Sequence, residues 1–179
     1  MALTNKFRIM QKKFKHVSFL LFIATAILSL QGCYTFTNAT ISPDTKTISI
    51  KQFPNNAPLA QPTLSTVLTE TIRDKFTSQS RLSLVRSDGD LNVEGEIKNY
   101  VSEPIAQTSD QRASMQRLSI TIDVRFTNKK DPKKDFQTSF TRFADFEASK
   151  QLSSAERELI PQITEALAQD IFNRALANW

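Results

Sequence analysis

Leu118-Ser119-Ile120-Thr121-Ile122-Asp123-Val124-Arg125-Phe126-Thr127 alternates without a break, with large apolar side chains on the even positions and polar ones on the odd. A period of two puts every apolar residue on one face of a pleated strand and leaves the other face wet. Antiparallel sheets covered on one side only have this pattern. Downstream, Asn128–Lys134 reads NKKDPKK, a charged hairpin tip, and the return strand carries Phe136, Phe140, Ala144 and Phe146 on even positions. Phe143 breaks that parity and predicts a bulge or a second contact surface. Upstream, residues 102–116 are polar and irregular, a long loop or a flexible strand entry. Before them Leu91, Val93, Ile97 and Val101 share one strand face. Ser87-Asp88-Gly89-Asp90 carries an Asp-Gly hairpin signal that would fold this strand back on a short one through Leu82, Leu84 and Arg86, opening a meander. Thr45–Phe53 is a further half-buried strand, with Ile48 and Ile50 inward and Thr47, Ser49 and Lys51 outward. Phe53-Pro54-Asn55-Asn56-Ala57-Pro58 ends it.

Two segments change period. Leu64, Val67, Leu68, Ile72 and Phe76 recur at helical spacing, with Pro62 or Thr63 at the start, opposite Ser65, Thr69, Glu70, Arg73 and Asp74. From Ser153 and Glu156, which have capping-box spacing, a terminal helix carries Ile160, Ile163, Leu167, Ile171, Phe172, Ala175, Leu176 and Trp179 along one stripe. Pro161 predicts a kink or a separate first turn, and Asp170 and Arg174 an exposed i,i+4 pair. The order strand, helix, several strands, helix predicts an α+β two-layer sandwich, with two helices packed on one face of a mostly antiparallel sheet.

Residues 1–32 belong to a different kind of segment. Lys6, Arg8, Lys12, Lys13 and Lys15 precede the apolar run VSFLLFIATAILSL (17–30), which then stops at Gln31-Gly32-Cys33. The run is shorter than the roughly 20 residues that cross a bilayer, so a cleaved export signal is expected instead of a retained span. Leu30-Gln31-Gly32-Cys33 resembles a lipobox, in which the cysteine is lipidated and becomes the first mature residue. Gln31 is a less usual residue at its position. A plain signal that happens to precede a cysteine is the competing reading. It would leave the chain's one cysteine as a lone thiol in an oxidising compartment. Two or more acyl chains suffice for stable anchoring. With Tyr34 next and no acidic cluster behind it, sorting to the periplasmic side of the outer membrane is expected. Residues 33–44 then form a polar tether, with Tyr34 and Phe36 able to dock, and 45–179 the folded domain.

Removing the signal changes what composition implies. The chain holds 23 Lys and Arg against 18 Asp and Glu, and five of the 23 lie in the signal, so the mature chain is neutral. The basic balance that would suggest nucleic acid therefore disappears. His16, the single histidine, leaves as well, which excludes zinc sites and His-dependent nucleophiles within one mature chain. With Gly89 and Gly95 its only glycines, that chain can build neither a Walker loop nor a GxGxxG turn. Its 147 residues are enough to bury ~70% of the unfolded surface in one core without disulfides.

Few residues remain as candidates for chemistry. Glu94 and Glu96 share a strand face, as paired glycosidase carboxylates do, but Asn92 and Lys98 share it too and no sugar-stacking aromatic is evident; solvated charges are the plainer reading. Asp88 and Asp90 flank a glycine without the ligand series of a calcium loop. Lys129, Lys130, Lys133 and Lys134, balanced only by Asp131, would concentrate positive potential at one end of the domain. Lipopolysaccharide phosphates or anionic lipid heads could be met there. The plainer alternative is a solvated turn whose lysines blunt an edge. No constellation supports catalysis, and no metal or cofactor is expected.

Gly32-Cys33-Tyr34-Thr35-Phe36, Lys46-Thr47-Ile48-Ser49-Ile50 leading into Phe53–Pro58, Leu91–Ile97, Arg117–Ile120 and the terminal Asp170–Trp179 together span nearly the whole mature chain. In combination they resemble the LptE family of lipopolysaccharide-assembly lipoproteins. The resemblance implies a small α+β sandwich that occupies the lumen of the outer-membrane barrel LptD, assists its folding and helps pass lipopolysaccharide to the outer leaflet. Of the family's functional residues only the lipidated cysteine can be placed by motif, at Cys33. A lipoprotein subunit of another secretion or envelope complex, and a glycan hydrolase working with carboxylates alone, are the rival readings.

Overall fold

The computed structural model describes residues 42–58, 61–105 and 114–176. The export signal, Cys33, Tyr34, Phe36 and Trp179 lie outside the described residues, as does most of the expected tether. Five strands, β1 (Thr47–Ile50), β2 (Ser83–Val85), β3 (Leu91–Ile105), β4 (Met115–Asn128) and β5 (Phe136–Glu147), form one sheet in the order β2-β1-β3-β4-β5. Helices α1 (Leu64–Gln79) and α2 (Leu152–Leu176) pack on each other and on one face of it. The α+β two-layer architecture and the mostly antiparallel sheet are as the periodicity predicts.

The alternation of β4 translates directly into burial. Leu118, Ile120, Ile122, Val124 and Phe126 are all at most 1% exposed, beneath the helices. Leu64, Leu68, Ile72 and Phe76 of α1 and Ile163, Leu167, Ile171 and Phe172 of α2 close the core from above, with Phe76 meeting Phe172 edge to face at 5.2 Å. Burying one such aromatic contributes about 2–3 kcal/mol, and the ring pair about 1 kcal/mol more.

β2 and β3 do not form the hairpin that Asp88-Gly89 suggests. β1 is inserted between them and runs parallel to both, with Ile48 opposite Leu84 on one side and Leu91 on the other. Residues 86–90 are therefore a crossover over the β1 backbone, and the meander comprises β3, β4 and β5 alone. Gly89 lies so close to β1 that a Cβ would fall 2.6 Å from the Ser49 nitrogen and 2.9 Å from the Ile48 carbonyl carbon. Close approach, not a positive φ, makes glycine necessary; the positive φ of this turn, 61°, belongs to Asp88. Asp90 then clasps the crossover to β1: its Oδ2 accepts from the Lys46 and Thr47 amides, both at 3.0 Å, and from Thr47 Oγ1 at 2.9 Å. These donors favour the carboxylate and hold its pKa at about 2.

Three further expectations give way for local reasons. A bulge between Ile97 and Asn99 shifts β3 by one residue, so Tyr100 takes the inward position instead of Val101. The strands also run further into the polar segment than its composition suggests, with Ile105 still paired to Met115. Glu156 caps nothing. α2 begins at Leu152, ahead of Ser153, and Glu156 turns inward, 6% exposed, to accept from the Tyr100 hydroxyl and the Gln61 amide. Burial and that carboxylate push the Tyr100 hydroxyl pKa up. α2 passes through Pro161 as one helix.

β1 stops at Ile50, short of the expected end at Phe53 and ahead of the prolines, and the chain returns between Pro54 and Pro58 for a single bridge at Asn55 and Ile97. In the gap Phe53 turns fully inward over Gly95. A Cβ at Gly95 would lie 2.5 Å from the Phe53 ring and 2.2 Å from the Asp123 carbonyl oxygen. Gly95→Ala is expected to destabilise the domain by about 2 kcal/mol or more, read as a lower urea midpoint.

Asp90 provides a pH signature. Its folded pKa lies below the ordinary 3.8, so its contribution is complete above about pH 5 and is lost as the pH falls toward 2. Asp90→Asn should therefore cost stability at about pH 7, with the gap from wild type narrowing on acidification. A gap that stays constant down to about pH 2 would show that the charge is not what holds the clasp.

Candidate functional site

The lysine tip forms because Asn128-Lys129-Lys130-Asp131 cannot extend an apolar alternation, and Pro132 starts a short 3₁₀ turn over Pro132–Lys134. Asn128 organises it locally, its amide oxygen accepting from the Lys130 and Asp131 backbones at 2.9 and 3.0 Å. Asp135 closes it by accepting from the Asn128 amide at 2.7 Å.

The tip leans against the crossover that precedes β3. Lys129 donates to Asp88 Oδ1 at 2.5 Å and to its carbonyl at 3.1 Å, and Lys130 lies 3.7 Å from Asp90 Oδ1. The Lys129 amide also reaches the Asp90 carbonyl at 2.9 Å. Two of the four ammonium groups are thus held by the acids that flank Gly89, while Lys133 stays exposed on the 3₁₀ turn. Sequence reasoning missed these acidic partners, which are about forty residues away along the chain and meet the tip only because the crossover brings them there.

Glu94 and Glu96 come together with Lys51, Lys98, Asp123 and Arg125 around a shallow groove of about 480 Å³ on the helix-free face of the sheet. Lys51 donates to Glu94 at 2.7 Å and Arg125 lies 3.9 Å away, so the Glu94 pKa is lowered, first by the Lys51 hydrogen bond. Glu96 and Asp123 stand directly opposite one another, and Lys98 bridges them at 4.0 and 2.9 Å. Its own pKa rises in consequence. Ser139 and Lys98 lower that of Asp123. A glycosidase acid needs a carboxyl held protonated near neutral pH, and Glu94 is pushed the opposite way. Among the described residues no group of three or more His, Cys, Asp or Glu is placed to hold a metal.

Phe143 does not mark a bulge, since β4 and β5 stay in register from end to end. It stands outward on the helix-free face, 52% exposed, with the Arg117 guanidinium 3.6 Å from its ring centre and Asp145 gripping Arg117 at 2.7 and 2.9 Å. Asp170 pairs with Arg142 of β5 at 2.5 and 2.6 Å instead of with Arg174, which lies 5.6 Å from the Phe136 ring centre.

Solved structures of bacterial proteins are similar to the domain at low sequence identity. The crystal structure of a Xanthomonas campestris protein superimposes with a TM-score of 0.50 at 12% identity, covering 77% of this chain and 90% of its own. A minor lipoprotein from Acinetobacter baumannii reaches 0.41 at 16% identity, covering 73% and 91%. The rare lipoprotein B from Shewanella oneidensis reaches 0.48 at 10% identity, covering 72% and 92%. No curated protein matches by sequence. The model of the lipopolysaccharide-assembly family LptE matches residues 45–175, from the start of the first strand to the last turn of α2, and the chain belongs to that family.

Proposed function

We propose that this protein is a lipoprotein held by lipid on Cys33 at the periplasmic side of the outer membrane. There it associates with the LptD barrel, assists its assembly and the delivery of lipopolysaccharide to the outer leaflet, and catalyses no reaction. The observation that carries this reading is the family match across the folded domain. The physical character of the domain supports it. Glu94, Asp123 and Asp145 of the helix-free face each have a basic partner within 3 Å, so the face is polar without a strong field of either sign. A protein enclosed by a polar wall needs a surface of this kind. Nucleic acid has no place in this reading, because the excess of basic residues lies within 1–32.

Affinity purification of the tagged protein from detergent-solubilised outer membrane is expected to recover a large LptD-type barrel in stoichiometric amount. Recovery of a different set of envelope proteins, without that barrel, would overturn the reading in favour of another complex.

Within this reading the lysine tip meets the phosphates of lipopolysaccharide, with the exposed Lys133 in the lead, since Lys129 and Lys130 already hold Asp88 and Asp90. A basic residue at an anionic lipid surface contributes about 1 kcal/mol, so Lys133→Glu should weaken lipopolysaccharide binding roughly fivefold or more at low salt. The loss should shrink as salt is raised. Unchanged binding would leave the tip as a solvated turn.

A further inference from the structure

The helix-free face of the sheet changes character along its length. From Asn92 to Asn99, and on β4 and β5 beside them, its outward residues are polar, and Lys51, Lys98 and Arg125 balance Glu94, Glu96 and Asp123. The last three rows of the register differ. In the first, Val101 pairs with Ser119 and Ser119 with Phe143. In the second, Arg117 stands between Glu103 and Asp145, and in the third Met115 stands between Ile105 and Glu147. Four apolar side chains thus reach this face without joining the core, and Phe143 is 52% exposed. Three carboxylates accompany one guanidinium in these rows, a local excess of two negative charges among the described residues.

Arg117 is already committed. Asp145 grips its guanidinium at 2.7 and 2.9 Å, its Cζ lies 3.6 Å from the Phe143 ring centre, and Glu103 adds to the negative field around it. The Phe143 ring is therefore held before any partner arrives, and little rotamer freedom is lost on binding. An exposed apolar patch with a fixed aromatic at its centre and charges at its rim is what a docking surface requires.

We propose that this end of the face docks a partner segment in which an aliphatic or aromatic side chain is flanked by Lys or Arg. The apolar group would lie against Phe143 and Met115, and the cations against Glu103 and Glu147. Charge selects this occupant. The acidic excess repels phosphates and anionic headgroups, so the patch is not a second site for lipopolysaccharide. A second copy offering the same face would set like charges against each other. The lysine tip of such a copy has cations, but only Pro132 as an apolar side chain among them. That the segment belongs to the inner wall of the barrel rests on the proposed function; its chemistry does not.

The test uses the full chain made in cells with a photoreactive benzophenone amino acid in place of Phe143, and maps the adduct by mass spectrometry. The expected adduct joins residue 143 to a barrel segment with Lys or Arg on either side of an apolar residue. Glu103→Lys with Glu147→Lys should lower recovery of the barrel roughly fivefold at low salt and less at high salt, with an unchanged circular dichroism spectrum. Gln137→Lys, on the balanced part of the face, should not. Replacing the mapped Lys or Arg by Glu should restore recovery with the double variant. An adduct with residues 106–113 of the same chain, with a second copy, or with a segment lacking flanking cations overturns the proposal. So does the absence of an adduct, a recovery indifferent to the double variant, or a failure of the reciprocal change to restore it. If the wild-type chain recovers no barrel, the functional reading fails and the patch is judged by its adduct alone. Another envelope protein joined through a cation-flanked apolar segment then upholds it, and any other adduct, or none, overturns it.

Discussion

No room exists for a methyl group between the crossover at Gly89 and the backbone of β1, and the topology depends on that. β1 can lie between β2 and β3 only because residues 86–90 pass directly over it. Asp90 then replaces the main-chain partners that the Lys46 and Thr47 amides would otherwise lack at the strand's entrance. Hydrogen bonds to an ionised acceptor are stronger than neutral ones, so the carboxylate holds these exposed and half-buried amides firmly. Gly95 plays the corresponding part at the other end of β1, where the chain detours so that Phe53 can occupy the volume a side chain would take. The two glycines of the folded domain therefore sit at its two backbone crossings.

The crossover also builds the candidate site. By carrying Asp88 and Asp90 to the end of the sheet it sets them beside the β4–β5 tip, where they hold Lys129 and Lys130. Exposed pairs of this kind contribute about 0–1 kcal/mol each, too little to explain the fold. Their larger consequence is electrostatic: a tip of four lysines becomes a smaller positive feature led by Lys133. On the helix-free face the same balancing lets Glu96 and Asp123 stand opposite each other, because Lys98 lies between them.

Residues whose environment is set by near neighbours were legible in the sequence. β4, β5 and both helices follow from alternation and 3.6-residue spacing, which report burial directly. The position of β1 was not legible, since an Asp-Gly pair looks alike whether it turns a hairpin or crosses over another strand, and only pairing across some forty residues decides between them. Tyr100 replaced Val101 inside because one bulge inverts every later position of a strand, and nothing in Ile97-Lys98-Asn99 announces it. Glu156 and Asp170 were misread for a shared reason. Local motifs offered each a partner on its own helix, but tertiary packing supplied a better one, the Tyr100 hydroxyl in one case and the bidentate Arg142 guanidinium in the other. For the candidate site, the lysines were visible as a run of charge, and their acidic partners were hidden by the same long-range crossing.

These features bear on how such a domain finds a partner. Long-range steering needs an uncompensated field, and residues 33–179, with equal numbers of acidic and basic side chains, provide little of it. Recognition must then rest on short-range features. The described residues offer three: the exposed 3₁₀ turn, the Arg117–Phe143 stack, and the main chain of β5. The first depends on salt and the second on one side chain. The third is set by backbone geometry and tolerates side-chain change so long as alternation and charge spacing persist.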